Sequence, residues 1–257
     1  MRIAVALGAS AALLAIALAI QAPATLLDQR VAAMTGGRLR ITNTEGTVWN
    51  GAGELVLLPS GARWPLAWHI DAGSLVSGEL RGSMAGGQEA VRCGAFSLGH
   101  GDFALRDIAA ALPAEALLRA GDAPSALASA GGRIELQVDE LAKLGDTLKG
   151  HLVATWRSAS LPALRPNIRV SLGDVRLELA GESRELRGAL QNSGGDVDVV
   201  GSVAISVAGL PRLDAMIKPR PALDQDRADA IAAALNMLGV SDGQGAWRVS
   251  WTGTTSR

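Results

Sequence analysis

The chain has 257 residues, and 48% of them are hydrophobic, so it can bury a sizeable core as one long domain or two smaller units and is not a disordered chain. A formal net charge of −1, with no Lys/Arg-rich run, leaves no electrostatic surplus for gripping phosphates and argues against nucleic acid as a partner. Cys93 is the single cysteine, which excludes an internal disulfide and any zinc site built on cysteine pairs.

The first element is residues 3–20, which carry no charge and one clearly polar side chain, Ser10. Such a run is just long enough to span a bilayer as a helix. It also reads as a secretory signal, with Arg2 as a short positive leader and Ala22-Pro23-Ala24 at a cleavage-like spacing. Both readings export everything downstream. The run exceeds the usual ~7–15 residues of a signal core, which favours a retained anchor over residues 1–24. No second apolar run approaches ~20 residues, so the chain is expected to cross the membrane once.

From about residue 37 the pattern changes to alternation of polar and apolar residues, the signature of half-buried strands. Arg38-Leu39-Arg40-Ile41-Thr42 starts the series, followed by Arg133-Ile134-Glu135-Leu136-Gln137-Val138 and Val175-Arg176-Leu177-Glu178-Leu179. Ser202-Val203-Ala204-Ile205-Ser206-Val207 continues it and Trp247-Arg248-Val249-Ser250-Trp251 closes it. Gly, Pro, Asn and Asp clusters separate these runs, so the strands are expected to pair sequentially and antiparallel. The expected fold is mainly β: one or more twisted or curved antiparallel sheets with two short amphipathic helices, preceded by one N-terminal transmembrane helix. The helices are expected over residues 107–120, with Leu112, Leu117 and Leu118, and over 222–238, with Ile231, Ala234, Leu235 and Leu238 at helical spacing. Their polar faces are acidic or nearly neutral, which suits packing on a sheet better than lying on a membrane.

Gly36-Gly37-Arg38-Leu39-Arg40-Ile41 has an echo in Gly131-Gly132-Arg133-Ile134-Glu135-Leu136, and each leads to a later tryptophan, Trp49 or Trp156. The echo divides the β-rich region 25–257 into two related sub-units, 36–125 and 130–257.

A search for chemistry finds no catalytic constellation. His69, His100 and His151 lack metal-ligand spacing, and neither a nucleophile elbow nor a phosphate loop is present. Asp196 and Asp198 fit a solvated strand face better than a cation site, and Cys93 reads as a small buried hydrophobe. No catalytic residue, metal, cofactor or small-molecule substrate is therefore expected. The densest local signal is Thr44-Glu45-Gly46-Thr47-Val48-Trp49-Asn50-Gly51-Ala52-Gly53, read as a strand with a glycine-marked bulge or tight entry, a β-branched pair at its centre and a large aromatic. Trp64 and Trp68 flank Pro65 in an edge strand or its start. Gly46, Thr47, Trp49, Gly51, Trp64 and Trp68 form the candidate structural or partner motif, with Trp49 expected as a core or end-plug side chain.

In order of features the chain resembles the type II secretion system protein N family. The resemblance rests on the short apolar anchor, the exit at Pro23 and Gly37-Arg38-Leu39 leading to Gly46-Thr47-Val48-Trp49-Asn50-Gly51. Pro65-Leu66-Ala67-Trp68 and Gly150-His151-Leu152-Val153-Ala154-Thr155-Trp156 follow in the same layout. It implies a bacterial inner-membrane protein with its bulk in the periplasm, an accessory, non-enzymatic part of the machine that exports folded proteins. Partners would be other secretion subunits, with the membrane held through the N-terminal helix. A second reading is an anchored envelope sheet that handles lipid, which requires inward-facing apolar positions left uncovered by a helix or opposing sheet.

Overall fold

The computed structural model describes residues 21–86, 91–92, 94–120, 129–162, 169–208, 210–221 and 223–252. Residues 3–20 and Cys93 lie outside them, so the expected transmembrane helix and the buried thiol do too. Among the described residues no helix is long and apolar enough to cross a membrane.

The strands form one antiparallel sheet. Its first half holds β1 (Leu39–Gly46), β2 (Asn50–Leu57), β3 (Ala62–Asp71), β4 (Leu80–Gly86), β5 (Val91–Arg92), β6 (Ala95–Leu98) and β7 (Phe103–Pro113). Its second half holds β8 (Gly131–Leu144), β9 (Thr147–Pro162), β10 (Arg169–Ser183), β11 (Glu185–Ser193), β12 (Val197–Ser206), β13 (Pro211–Pro219), β14 (Val240–Ser241) and β15 (Trp247–Thr252). Each strand pairs with its neighbour in sequence, except that β5 joins β7 beside β6 and β15 lies between β13 and β14. Most connections are too short for the crossover of a dozen residues or more that parallel neighbours need, while those from β7 to β8 and from β13 to β15 each contain a helix and still join antiparallel neighbours. All five alternating segments lie in strands apart from the end residues Arg38 and Val207, and β7 pairs with β8 from Phe103↔Lys143 to Pro113↔Arg133, so the strands within residues 36–113 and 131–252 share one sheet.

Strand β3 shows how alternation becomes a face. Trp64, Leu66, Trp68 and Ile70 turn inward while Arg63, Pro65, Ala67 and His69 turn out. The β3–β4 ladder begins at Leu66, so Pro65, without an N–H, sits where β3 is paired with β2 alone among the described residues.

Among the described residues three α-helices pack on the sheet: α1 (Thr25–Met34), α2 (Ala114–Ala120) and α3 (Gln225–Leu238). The expected helix over 107–120 is half right. Residues 107–113 are strand, because Ile108, Ala110 and Leu112 fall opposite Val138, Leu136 and Ile134 in register, and this cross-strand burial overrides the helical preference of alanine and leucine. In α3 the Asp224 side chain caps the helix, accepting from the Arg227 N–H at 2.8 Å. Its buried stripe is Ala230, Ile231 and Leu235, so Leu238 is exposed at the end. Helix α1 was not expected; Leu27 and Val31, four residues apart, are the signal it offers, and both pack on the core beside Ile41 and Trp68.

Each helix closes part of one sheet face. Helix α1 covers the cluster around Trp68, Ala116 of α2 packs with Leu57 and Trp64, and α3 lies over Val170, Val197, Val199 and Trp247. A fourth cluster has no helical member. It joins Leu148, Leu179 and Leu186 with Phe103, Leu141, Leu152, Leu177, Val203, Ile205 and Val207, all from strands or the turn after β12. Leu179 and Leu186 are nevertheless only 1% exposed, so the strand side chains of β7 to β12 cover one another.

Candidate functional site

Gly46 to Gly51 is the β1–β2 hairpin loop and its two flanks. Thr47, Val48 and Trp49 lie outside both strands, which corrects the expected strand through Trp49. A register shift between Thr42 and Glu45 and the left-handed Gly46, at φ 84°, lift the loop out of the ladder. Thr47 closes it: its N–H donates to the Asn50 carbonyl at 2.9 Å, and its hydroxyl accepts from the Asn50 N–H at 3.1 Å.

Trp68 clamps this loop from β3. The indole N–H donates to the carbonyls of Thr47 at 3.2 Å and Val48 at 3.1 Å, and the side chain is 5% exposed. Trp68 stands opposite Gly51 in register, where a Cβ would come within 2.6 Å of the indole Cζ2 and 2.6 Å of the Glu45 carbonyl oxygen. The glycine is therefore required by a close approach of ring and backbone. Trp49 is half-buried against the same cluster, and its carbonyl accepts from the Ile70 N–H at 2.6 Å. Five of the six candidate residues thus meet at one node. Trp64 does not; it shares the inward face of β3 but packs with Leu57, Leu39 and Ala116.

What the node holds is the incoming chain. The Val48 N–H donates to the Ala22 carbonyl at 2.9 Å, the Ala24 N–H donates to the Gly46 carbonyl at 3.3 Å, and Pro23 bridges to Thr47. Helix α1 then runs back beside β1. Asp28 accepts from the Ile41 N–H at 2.8 Å and takes the Arg40 guanidinium at 2.8 and 2.6 Å. The Thr35 hydroxyl accepts from the Leu39 N–H at 3.1 Å and donates to the Val31 carbonyl at 2.8 Å. These acceptors satisfy N–H groups that β1 does not use with β2, so the first edge of the sheet is capped.

The Arg40 hydrogen bonds hold the Asp28 carboxyl below the ordinary carboxylate range. Its folded value being depressed, the stabilisation is present at neutral pH and is lost as pH falls below the unfolded value toward the folded one. Asp28→Asn is expected to cost about 1–2 kcal/mol at neutral pH. Urea unfolding followed from about pH 7 to pH 3 should show a shallower acid limb for the variant than for the wild type; parallel limbs would contradict the assignment.

The opposite end of the sheet carries residues that sequence reasoning missed. Val200, Met216, Arg248 and Val240 fall in one register line across β12, β13, β15 and β14, so their side chains share a face. Val200 is 66% and Val240 76% exposed, and Met216 is exposed as well. Arg248 crosses the row in a two-pronged ion pair with Asp214. The available signal was Val197-Asp198-Val199-Val200, where two adjacent valines on a strand must face opposite sides. Beyond β14, Val249 to Thr252 have no described strand on their outer side.

Asp196, Asp198 and His151 are engaged in structural contacts. Asp196 accepts from the Ser171 N–H at 2.7 Å and pairs with Arg227 of α3 at 2.8 Å, while Asp198 pairs with Arg220. They serve separate partners instead of one cation, and among the described residues no group of three or more His, Cys, Asp and Glu side chains is placed to hold a metal ion. His151 lies on the exposed face with Nδ1 2.7 Å from Asp139 and Nε2 3.3 Å from Glu178. Hydrogen bonds to these carboxylates, chiefly Asp139, raise its pKa.

The family model for type II secretion system protein N matches residues 37–250, which include the hairpin node and the whole sheet to the last strand. No curated protein and no solved structure matches the chain.

Proposed function

The chain belongs to the type II secretion system protein N family, and from that premise we propose that it is an accessory, non-enzymatic component of the secretion apparatus acting through protein–protein contacts. Residues 3–20 anchor it in the inner membrane as a single span, the sheet lies in the periplasm, and its partners are other secretion subunits. The Gly46–Trp68 node is an internal clamp that ties the sheet to the chain leaving the anchor.

The observation that carries the contact role is the Val200-Met216-Arg248-Val240 row beside the stretch of β15 that no described strand covers. Methionine and arginine are enriched in interfaces, and an exposed apolar row next to open backbone groups suits both side-chain docking and strand addition. The contrast with the capped β1 edge supports the assignment of the docking end. The lipid-handling reading is weaker, because the part of the inward face across β7 to β12 without a helical member already buries Leu179 and Leu186 among strand side chains.

Val200→Glu combined with Val240→Glu tests this. Both side chains are exposed, so the unfolding free energy should change by no more than ordinary surface substitutions do, about 0.5 kcal/mol each. Co-purification with other secretion subunits from crosslinked membranes should be lost. Unchanged co-purification would remove this row as the contact surface.

A further inference from the structure

The node fixes where the anchor leaves the sheet, and the adjoining turn has its own apolar display. Strand β3 hydrogen-bonds the hairpin through Ile70 and Trp49 and ends at Asp71, where a 3-10 turn, Ala72–Ser77, leads into β4. This turn is tightly built. Asp71 accepts from the Gly73 N–H at 2.9 Å, and the buried Ser74 hydroxyl donates to the Asp71 carbonyl at 2.6 Å and accepts from the Arg81 N–H at 3.0 Å. Ser77 bonds back to the Ser74 carbonyl at 2.7 Å, and left-handed Gly78 closes the turn. This framework holds Leu75 at 49% and Val76 at 93% exposure. Leu26, in the first turn of α1 just after the pinned exit, is exposed as well.

We propose that this turn is a membrane-contacting wedge, with Val76 and Leu75 set into the headgroup and acyl boundary beside the anchor. The antiparallel order places the β1–β2 hairpin, the turn after β3 and the β6–β7 and β8–β9 turns at one end of the sheet. It is the end at which Ala22 and Ala24 are bound to the hairpin, so a chain leaving the bilayer before residue 21 brings this end against the membrane. Of the charges flanking the turn, Arg81 pairs with Glu79 at 2.6 Å and the Asp71 carboxylate caps the Gly73 N–H, so the contact offered is apolar and insensitive to lipid charge. The inference rests on residues 3–20 being the anchor.

The full-length protein, with Cys93 replaced by serine, is labelled through Val76→Cys with an environment-sensitive dye. It is then reconstituted into phosphatidylcholine vesicles carrying a shallow nitroxide lipid. Ser60→Cys, in the turn between β2 and β3 at the other end, is the reference. The expected result is quenching at position 76 at least about threefold stronger than at position 60, unchanged when phosphatidylglycerol is included. Protein that floats with the vesicles but shows equal quenching at both positions overturns the wedge and leaves the anchor standing. Protein that fails to float overturns both. Shielding of position 76 only when other secretion subunits are added overturns the wedge in favour of a protein contact.

Discussion

Trp68→Ala is expected to lower the unfolding free energy by about 3–5 kcal/mol, which for a domain of ordinary stability is a large share of the total. Two effects add. The substitution removes a large aromatic from a site 5% exposed and packed with Ala24, Ile41 and Ile70, leaving a cavity. It also removes the indole N–H shared by the Thr47 and Val48 carbonyls, so the hairpin that binds Ala22 and Ala24 loses its clamp. Trp68→Phe separates the two, keeping most of the packing and losing the donor, with an expected cost of about 1–2 kcal/mol. Urea unfolding of both variants beside the wild type measures the split. An unchanged midpoint for Trp68→Ala would show that the node does not hold the hairpin.

The second large effect is at Leu179, in the one cluster of the inward face that has no helical member among the described residues. At 1% exposure among Leu148, Leu152 and Leu186, its truncation to alanine is expected to cost about 2–5 kcal/mol. Its neighbour across β11 is Gly188, where a Cβ would sit 1.8 Å from the Glu178 carbonyl oxygen, so no larger residue can grow in from that side to fill the space. The measurement separates two views of this face. A filled face loses transfer energy and gains a cavity, giving the large value. An apolar trough open to acyl chains would already leave Leu179 wet, and Leu179→Ala would then cost less than about 1 kcal/mol.

Much of the architecture was legible because strand pairing here is local. Alternation along β1, β8, β10, β12 and β15 is a property of neighbouring residues, and short glycine-marked turns leave sequential antiparallel pairing as the outcome. Helix α3 was legible for the same reason, from the helical spacing of Ile231 and Leu235, although it starts at Gln225 with Asp224 as its cap and leaves Leu238 exposed. Family membership followed from the order of such local features around Gly46 to Gly51 and Trp68, and from the absence of any local catalytic pattern came the expectation of a protein that works by contact.

What only the tertiary structure decided depends on partners distant in sequence. Residues 107–113 become strand because Val138, Leu136 and Ile134 offer them an apolar register, and nothing in their own composition says so. Trp49, read as part of a strand, lies in a loop that Trp68, nineteen positions on in the chain and opposite Gly51, holds through the Thr47 and Val48 carbonyls. The capping of one edge by Asp28 and Thr35, and the alignment of Val200, Met216, Arg248 and Val240 on the other, are products of register. A slip of a single residue would turn each of those side chains to the opposite face, so sequence alternation specifies that a row exists while the paired strands decide which residues stand in it.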